Sequence, residues 1–304
     1  AMSTVYIGLG SNLGNRRENL ERAVTLLERR VGTLLRLSAF WETAPVGFES
    51  EHQFLNAAAA FLTSLSPAEL LLLTQQIERE MGRTQKSLNG VYHDRIIDID
   101  LLCSDGESVY TAELQLPHPH LSERRFVLEP LAEIAPELWI DGKGYVSDLL
   151  DKLNGHDIRP LTPADTPLFE QFNALFPQLS EQVHILTADE ITALLQRPDT
   201  WVYVAFTLEG RLVGTITLCL AASPTGIKGW AEDLVVDTSV RGAGFGKALI
   251  LRSAREAFRH GADSVNFTSR PSRTAANNLY VSLGFEQRET NVYRCKRYES
   301  LKLR

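Results

Sequence analysis

The stretch Arg95-Ile96-Ile97-Asp98-Ile99-Asp100-Leu101-Leu102 decides how the first half of the chain folds. Ile97, Ile99 and Leu101 alternate with Asp98 and Asp100, the two-residue period of a β-strand. A strand is therefore predicted over residues 96–102, with an apolar face on one side and two carboxylates on the other. Carboxylates so close repel, and one is hard to ionise unless a divalent cation lies between them. Hard oxygen ligands of this kind suit Mg2+ held jointly with nucleotide phosphates. The alternation equally fits the solvated face of an amphipathic strand, and these residues alone leave both readings open.

Working outward, residues 83–94 are polar, contain Asn89-Gly90 and lack an apolar period, which predicts a mobile loop. That loop brings Arg83 and Lys86 towards Arg95, and phosphoryl transfer needs cationic donors around the transferring group. Before it, Ser66-Pro67 opens a helix with Glu69 three residues after the cap; Leu70, Leu73 and Ile77 face inward and Gly82 ends it. Residues 4–9 read as a strand stopped by Gly10-Ser11-Asn12, and a helix follows from Arg16 with Leu20, Val24, Leu27 and Val31 on one face. Residues 35–42 and 53–65 read as strands; residues 116–136 read as irregular and then helical. The order β-α-β-β-α-β implies an α+β fold with an antiparallel sheet.

At 304 residues, two domains of about 150 residues each are expected. Asn154-Gly155 is the boundary, giving domains over 3–155 and 156–298. After it come a strand over 156–159, Pro-punctuated helices to Gln196, and strands over 201–208, 211–221 and 232–236. A glycine-rich turn and a helix to His260 follow, then a strand over 264–269, a helix over 274–283 and a last strand over 292–296. The turn, Arg241-Gly242-Ala243-Gly244-Phe245-Gly246, can converge backbone N–H groups on an anion. It lacks Gly-Lys-Ser/Thr, which excludes a P-loop, and its position late in the domain argues against a dinucleotide fold.

Hydrophobic residues at 44% and charged residues at 23% are those of a soluble globular protein. The net charge of -7 argues against nucleic acid as a partner. No run approaches ~18 apolar residues and no charged leader precedes an apolar core, so no membrane association and a cytoplasmic location are expected. Cys103, Cys219 and Cys295 show neither metal nor disulfide spacing and are expected to be small buried hydrophobes.

Five motifs in order, G-S-N-L-G-N (10–15), T-A-P-V-G (43–47), F-L-N-A (54–57), R-I-I-D-I-D-L-L (95–102) and P-H-P-H-L-x-E-R-R-F-V-L-x-P-L (117–131), resemble 6-hydroxymethyl-7,8-dihydropterin pyrophosphokinase across residues 3–155. The resemblance implies a ferredoxin-like α/β sandwich that moves pyrophosphate from ATP to the hydroxymethyl oxygen of the dihydropterin, leaving AMP, in folate biosynthesis. It implies that Asp98 and Asp100 bind two Mg2+ ions. Gln75, Glu78, Arg83, Arg95, His118 and Arg124 would line the ATP site, Arg83 and Arg95 also serving catalysis. Thr43, Val46, Phe54, Asn56 and Phe126 would hold the pterin, between the two rings. Gln85 stands where the family often has a second arginine, and His93-Asp94 replaces a usual Gly-Pro, departures that bear on loop closure and rate.

The run E-D-L-V-V-D-x-x-x-R-G-x-G-x-G (232–246) with A-A-N-N-L-Y-V-S-L-G-F (275–285) resembles the GCN5-related N-acetyltransferases, a mixed α/β fold, across residues 156–298. The resemblance implies acetyl transfer from acetyl-CoA to an amine that the sequence does not name. The CoA pyrophosphate would lie on Arg241, Gly242, Gly244, Gly246 and Lys247, and the pantetheine along Leu234, Val235 and Val236, with Asn277 alongside. Tyr280 would protonate the departing thiolate, its ordinary pKa near 10 keeping it protonated at neutral pH. Glu232, or alternatively Asp233, is the candidate base, and Arg273 takes a place where the family often has Asn. A second domain that binds CoA without turnover, and a first domain that binds ATP and pterin without transfer, are the alternatives.

Overall fold

The alternation around Asp98 is realised at one edge of a sheet built from β1 (Ser3–Ser11), β2 (Thr33–Leu37), β3 (Trp41–Thr43), β4 (Phe54–Thr63) and β5 (Asp98–Ser104). The computed structural model describes residues 1–83 and 91–302, so Gln85, Lys86 and Asn89-Gly90 lie outside the described residues. The sheet is antiparallel in the order β2-β4-β1-β5, with β3 also paired to β4. With α1 (Arg16–Arg30) and α2 (Pro67–Glu80), this is the expected ferredoxin-like arrangement. Ser66 and Glu69 form the capping box read from the sequence, with both reciprocal bonds present; such caps stabilise a helix by about 1 kcal/mol.

Both faces of the sheet are covered. Val5, Ile7 and Leu9 of β1 pack with Leu20, Leu27, Leu70 and Ile77 of α1 and α2. On the other face Ala58, Ala60 and Leu102 meet α3 (Arg125–Ile134) and α4 (Val146–Leu153). The sequence reading had no counterpart for α4, a helix of 8 residues whose Val146 joins this core. Two-residue strands form small ribbons, β6 (Val109–Tyr110) with β7 (Gln115–Leu116) and β8 (Trp139–Ile140) with β9 (Gly144–Tyr145).

Several boundaries move. β1 continues through Gly10 and Ser11, because ladders on both sides hold a central strand whatever its local propensity. The strand expected over 35–42 divides: buried Ser38 donates its N–H to the Ala58 carbonyl and accepts the Ala58 N–H on its hydroxyl, replacing regular pairing there.

The second half forms its own sheet from β10 (Asp157–Pro160), β11 (Thr200–Phe206), β12 (Leu212–Ser223), β13 (Gly226–Val236) and β14 (Ser264–Asn266), in chain order. All pairs are antiparallel except β13 with β14, which are joined through α7 (Phe245–Arg259). Helices α5 (Phe169–Asn173), α6 (Ala188–Leu195) and α8 (Thr274–Ser282) complete it. β13 starts well before the expected Glu232. A Cβ on Gly229 would come within 3.0 Å of Ala257, so glycine there permits α7 to sit close. β14 stops at Asn266, short of the expected 269. Residues 292–296 form no strand, and Val292 and Tyr293 are 74% and 88% exposed. Of the cysteines Cys103 is buried, Cys219 partly so, and Cys295 is exposed, contrary to expectation.

Among the described residues no strand pairing joins the segments before and after Gly155, and each half buries its own core. No helix among them is long and apolar enough to cross a membrane.

Candidate active site

Asp98 and Asp100 stand on the β5 face that looks towards α3, opposite Gly10 and Gly8 of β1. Gly10 also pairs with Asn56, and a Cβ there would lie 2.9 Å from the Asn56 Oδ1. Alternate glycines in β1 thus leave a bare floor between the aspartates and Asn56. The sequence reading used Gly10 as a strand stop and as the start of a motif; its repeat with Gly8 was the signal for this floor.

A dense ionic cluster surrounds the aspartates. Arg83 Nη1 donates to Glu78 Oε2 at 2.5 Å and to Asp98 Oδ1 at 2.7 Å, and Arg95 Nη1 reaches Asp98 Oδ2 at 3.2 Å. Glu78 Oε1 accepts the Ile99 N–H, a donor on the free edge of β5. Burial pushes Glu78 up to about 7 against the pull of Arg83. Burial, then Asp98 and Glu78, push Asp100 up to about 8. Asp98 and Asp100 thus stand side by side with their mutual repulsion expressed in the raised Asp100, and a hard divalent cation between them would relieve it. No group of three or more His, Cys, Asp or Glu ligands occurs among the described residues, so such a cation would take its remaining oxygens from substrate and water.

Two cavities meet at this cluster. The larger, about 1280 Å3, is lined by Gln75, Glu78, Arg83, Arg95, Asp98, Asp100, His118 and Arg124, the residues expected at the ATP site. The smaller, about 560 Å3, is lined by Thr43, Val46, Phe54, Asn56 and Phe126, the residues expected around the pterin. Tyr92, Arg95, Asp98 and Arg124 border both. In the smaller cavity Asn56 Nδ2 donates to the Thr43 hydroxyl at 2.5 Å, which turns Asn56 Oδ1 away as a free acceptor edge. In the larger one burial, then Arg124, hold the His118 ring down to about 4, so it is neutral at physiological pH. Its Nδ1 accepts the His120 N–H at 3.1 Å, which puts the ring proton on Nε2 as a donor.

Three contributions were missed in the sequence. Phe48 lines the smaller cavity and meets Phe54 edge-on, with centroids 6.2 Å apart. Tyr92 accepts from Arg124 Nη2 at 3.3 Å and lies under Arg95. Asn12, 2% exposed, accepts the Arg95 N–H at 2.7 Å and donates to Asp94 at 2.7 Å, fixing the backbone that carries Arg95. The Asp94 half of that clamp uses a residue that replaces the usual Gly-Pro.

In the second half a further cavity is lined by Leu234, Val235, Val236, Arg241 and Tyr280, together with Arg273, Gln178 and Leu179. A bulge opens β13 there: Thr217 pairs with Glu232 but Thr215 with Val235, and Asp233 takes a positive φ of 52°. Glu232 is exposed beside this bulge, and burial, then Asp233, raise its carboxyl pKa. Gly242 and Gly244 both have positive φ, and Gly244 caps α7 with no side chain, leaving first-turn N–H groups open. Gly242, Gly244, Gly246, Lys247 and Glu232 do not line the cavity itself. Neither does Asn277, whose amide donates to the Arg270 carbonyl at 3.0 Å and so braces the loop before α8.

Comparison with known proteins gives two matches. Residues 6–136 match the family model described as 7,8-dihydro-6-hydroxymethylpterin-pyrophosphokinase (HPPK), and residues 167–285 that of the acetyltransferase (GNAT) family. A 2-amino-4-hydroxy-6-hydroxymethyldihydropteridine pyrophosphokinase of Porphyromonas gingivalis is 55% identical over 138 residues, 45% of this chain and 94% of that protein. One from Bacillus subtilis is 48% identical over 134 residues, 44% of this chain and 78% of that protein. Among solved structures, a Trypanosoma brucei acetyltransferase is 28% identical with a TM-score of 0.40, covering 46% of this chain and 99% of its own.

Proposed function

The chain belongs, through its N-terminal half, to the HPPK family and is a pyrophosphokinase of folate biosynthesis, and we propose that the two meeting cavities are its ATP and pterin sites, in a domain spanning residues 3–155. The observation that carries this is the position of Asp98: it borders both cavities and is gripped by Arg83 and Arg95. The pterin ring lies between Phe54 and Phe126, and Asn56 reads its amide-like edge. Its hydroxymethyl oxygen then points at the boundary. There it attacks the β-phosphorus of ATP and gives up its proton to water; the bond from the β-phosphorus to the α-phosphate oxygen breaks, and AMP leaves with that oxygen. Gln75 and Glu78 flank the nucleotide. Arg83, Arg95 and Arg124 hold the transferring group in line, and neutral His118 donates from Nε2. Two Mg2+ ions on Asp98 and Asp100 supply charge neutralisation when bound.

The second half, residues 156–298, is proposed to transfer acetyl from acetyl-CoA to an unidentified amine. What supports this is Tyr280 in the same cavity as the opened strand Leu234–Val236 and Arg241, next to the glycine-rich turn. Glu232, its pKa raised, accepts the amine proton and Tyr280 returns one to the thiolate.

The test is incubation with ATP, Mg2+ and 6-hydroxymethyl-7,8-dihydropterin. Pterin-dependent AMP is expected; its absence in folded protein that binds both ligands would make the first half a binding module. For the second half, thiol release from acetyl-CoA across an amine panel is expected, and binding without release would leave a CoA-binding module.

A further inference from the structure

The glycine-rich turn is braced by a residue outside its own motif. α4, the last helix of the first half, closes with Asn154 and Gly155, the latter at φ +89°, and the His156 N–H donates back to the Asp151 carbonyl at 2.9 Å. That closing turn delivers the His156 ring to the start of α7. Its Nε2 lies 2.7 Å from the Ala243 carbonyl oxygen, and the ring meets Phe245 edge-on with centroids 4.7 Å apart. A Cβ on Gly244 would come within 3.1 Å of the ring, so the ring occupies the space beneath the turn.

A trans peptide points its C=O and its N–H in opposite directions. A ring that ties down the Ala243 carbonyl therefore aims the Gly244 N–H out of the turn, where an anion would sit. The brace is anchored at its other end as well. Arg252, Arg255 and Arg259, on one face of α7, pair with Asp148 and Asp151 of α4 and with Glu137. α7 is thus held against the first half along its length and at its N-terminal turn.

We propose that His156 is a positioning residue for the CoA diphosphate, aiming the Gly244 amide at it, so that CoA affinity depends on a residue delivered by the first half. This rests on the reading of the turn as a CoA site. The experiment is calorimetric titration of the full-length protein with CoA and, separately, with pantetheine, which lacks both phosphates. His156→Ala should weaken CoA about tenfold, the scale of one oriented bond to a charged group, and leave pantetheine unchanged. His156→Gln, whose amide can donate to the same carbonyl, should restore CoA binding. A circular dichroism spectrum and urea midpoint matching the wild type report that each variant is folded. If His156→Ala unfolds, His156→Leu fills the space without a donor and carries the same expectation. CoA binding unchanged in a folded variant, or equal weakening of both ligands, overturns the role. Wild-type protein that binds no CoA overturns the reading of the turn and this inference together.

Discussion

Arg259→Ala should unseat α7 from the first half. The Arg259 side chain is only 9% exposed and spends all three guanidinium nitrogens. Nε and Nη2 donate to Glu137 at 2.7 and 3.1 Å, and Nη1 donates to Asp148 at 2.9 Å and to Glu256 at 2.7 Å. The guanidinium carbon also sits 3.8 Å from the centre of the Tyr145 ring. Truncation leaves Glu137, Asp148, Asp151 and Glu256 facing Arg252 and Arg255 alone. Removing one partner of a buried ion pair costs about 3–5 kcal/mol. The Glu137 side chain is 48% exposed and can rehydrate, so the lower end, about 3 kcal/mol, is expected. Urea denaturation followed by circular dichroism reads this as a lowered midpoint. Arg259→Lys should recover only part of the loss, because an ammonium cannot reproduce the planar fork. A loss below about 1 kcal/mol, the range of exposed surface pairs, would show that water fills the junction and would refute the seating argued here.

Asp98→Ala should abolish pterin-dependent AMP formation while CoA titrates as in the wild type; simultaneous loss of both would show that the halves do not act separately. Tyr280→Phe should slow acetyl transfer by roughly 10²-fold or more, the range for a lost general acid, with the CoA Kd unchanged; an unaltered rate would remove Tyr280 from proton transfer. His118 is depressed to about 4 in the fold against about 6.5 unfolded. Below about 6.5 the unfolded chain takes a proton that the fold refuses, so this stability is present above pH 6.5 and is lost as pH falls towards 4. Between pH 7 and 5 the wild type should lose about 1–2 kcal/mol more than His118→Gln; parallel pH profiles for the two would contradict a buried neutral ring.

The sequence by itself determined the strand carrying Asp98 and Asp100, because a period of two fixes which side chains share a face wherever the strand lies. It likewise determined α2 through its capping box, and the glycine-rich turn, since each depends on residues within a few positions of one another. Tertiary structure decided what local pattern cannot encode. Gly10 read as a stop, yet inside the sheet it is a position where a side chain would collide with Asn56. Gly229, without a reading in the sequence, is one where a side chain would meet α7. The strand expected at 292–296 had the composition but stays exposed and pairs with no strand, and hydrogen bonds to a neighbour, rather than propensity, make a strand. Asn12 reaches Arg95 across 83 positions and His156 reaches Ala243 across 87, contacts that exist only after two separate elements have packed. Residue identity thus announced the chemistry, while the orientation of Arg95 and of the Gly244 amide was left to long-range packing.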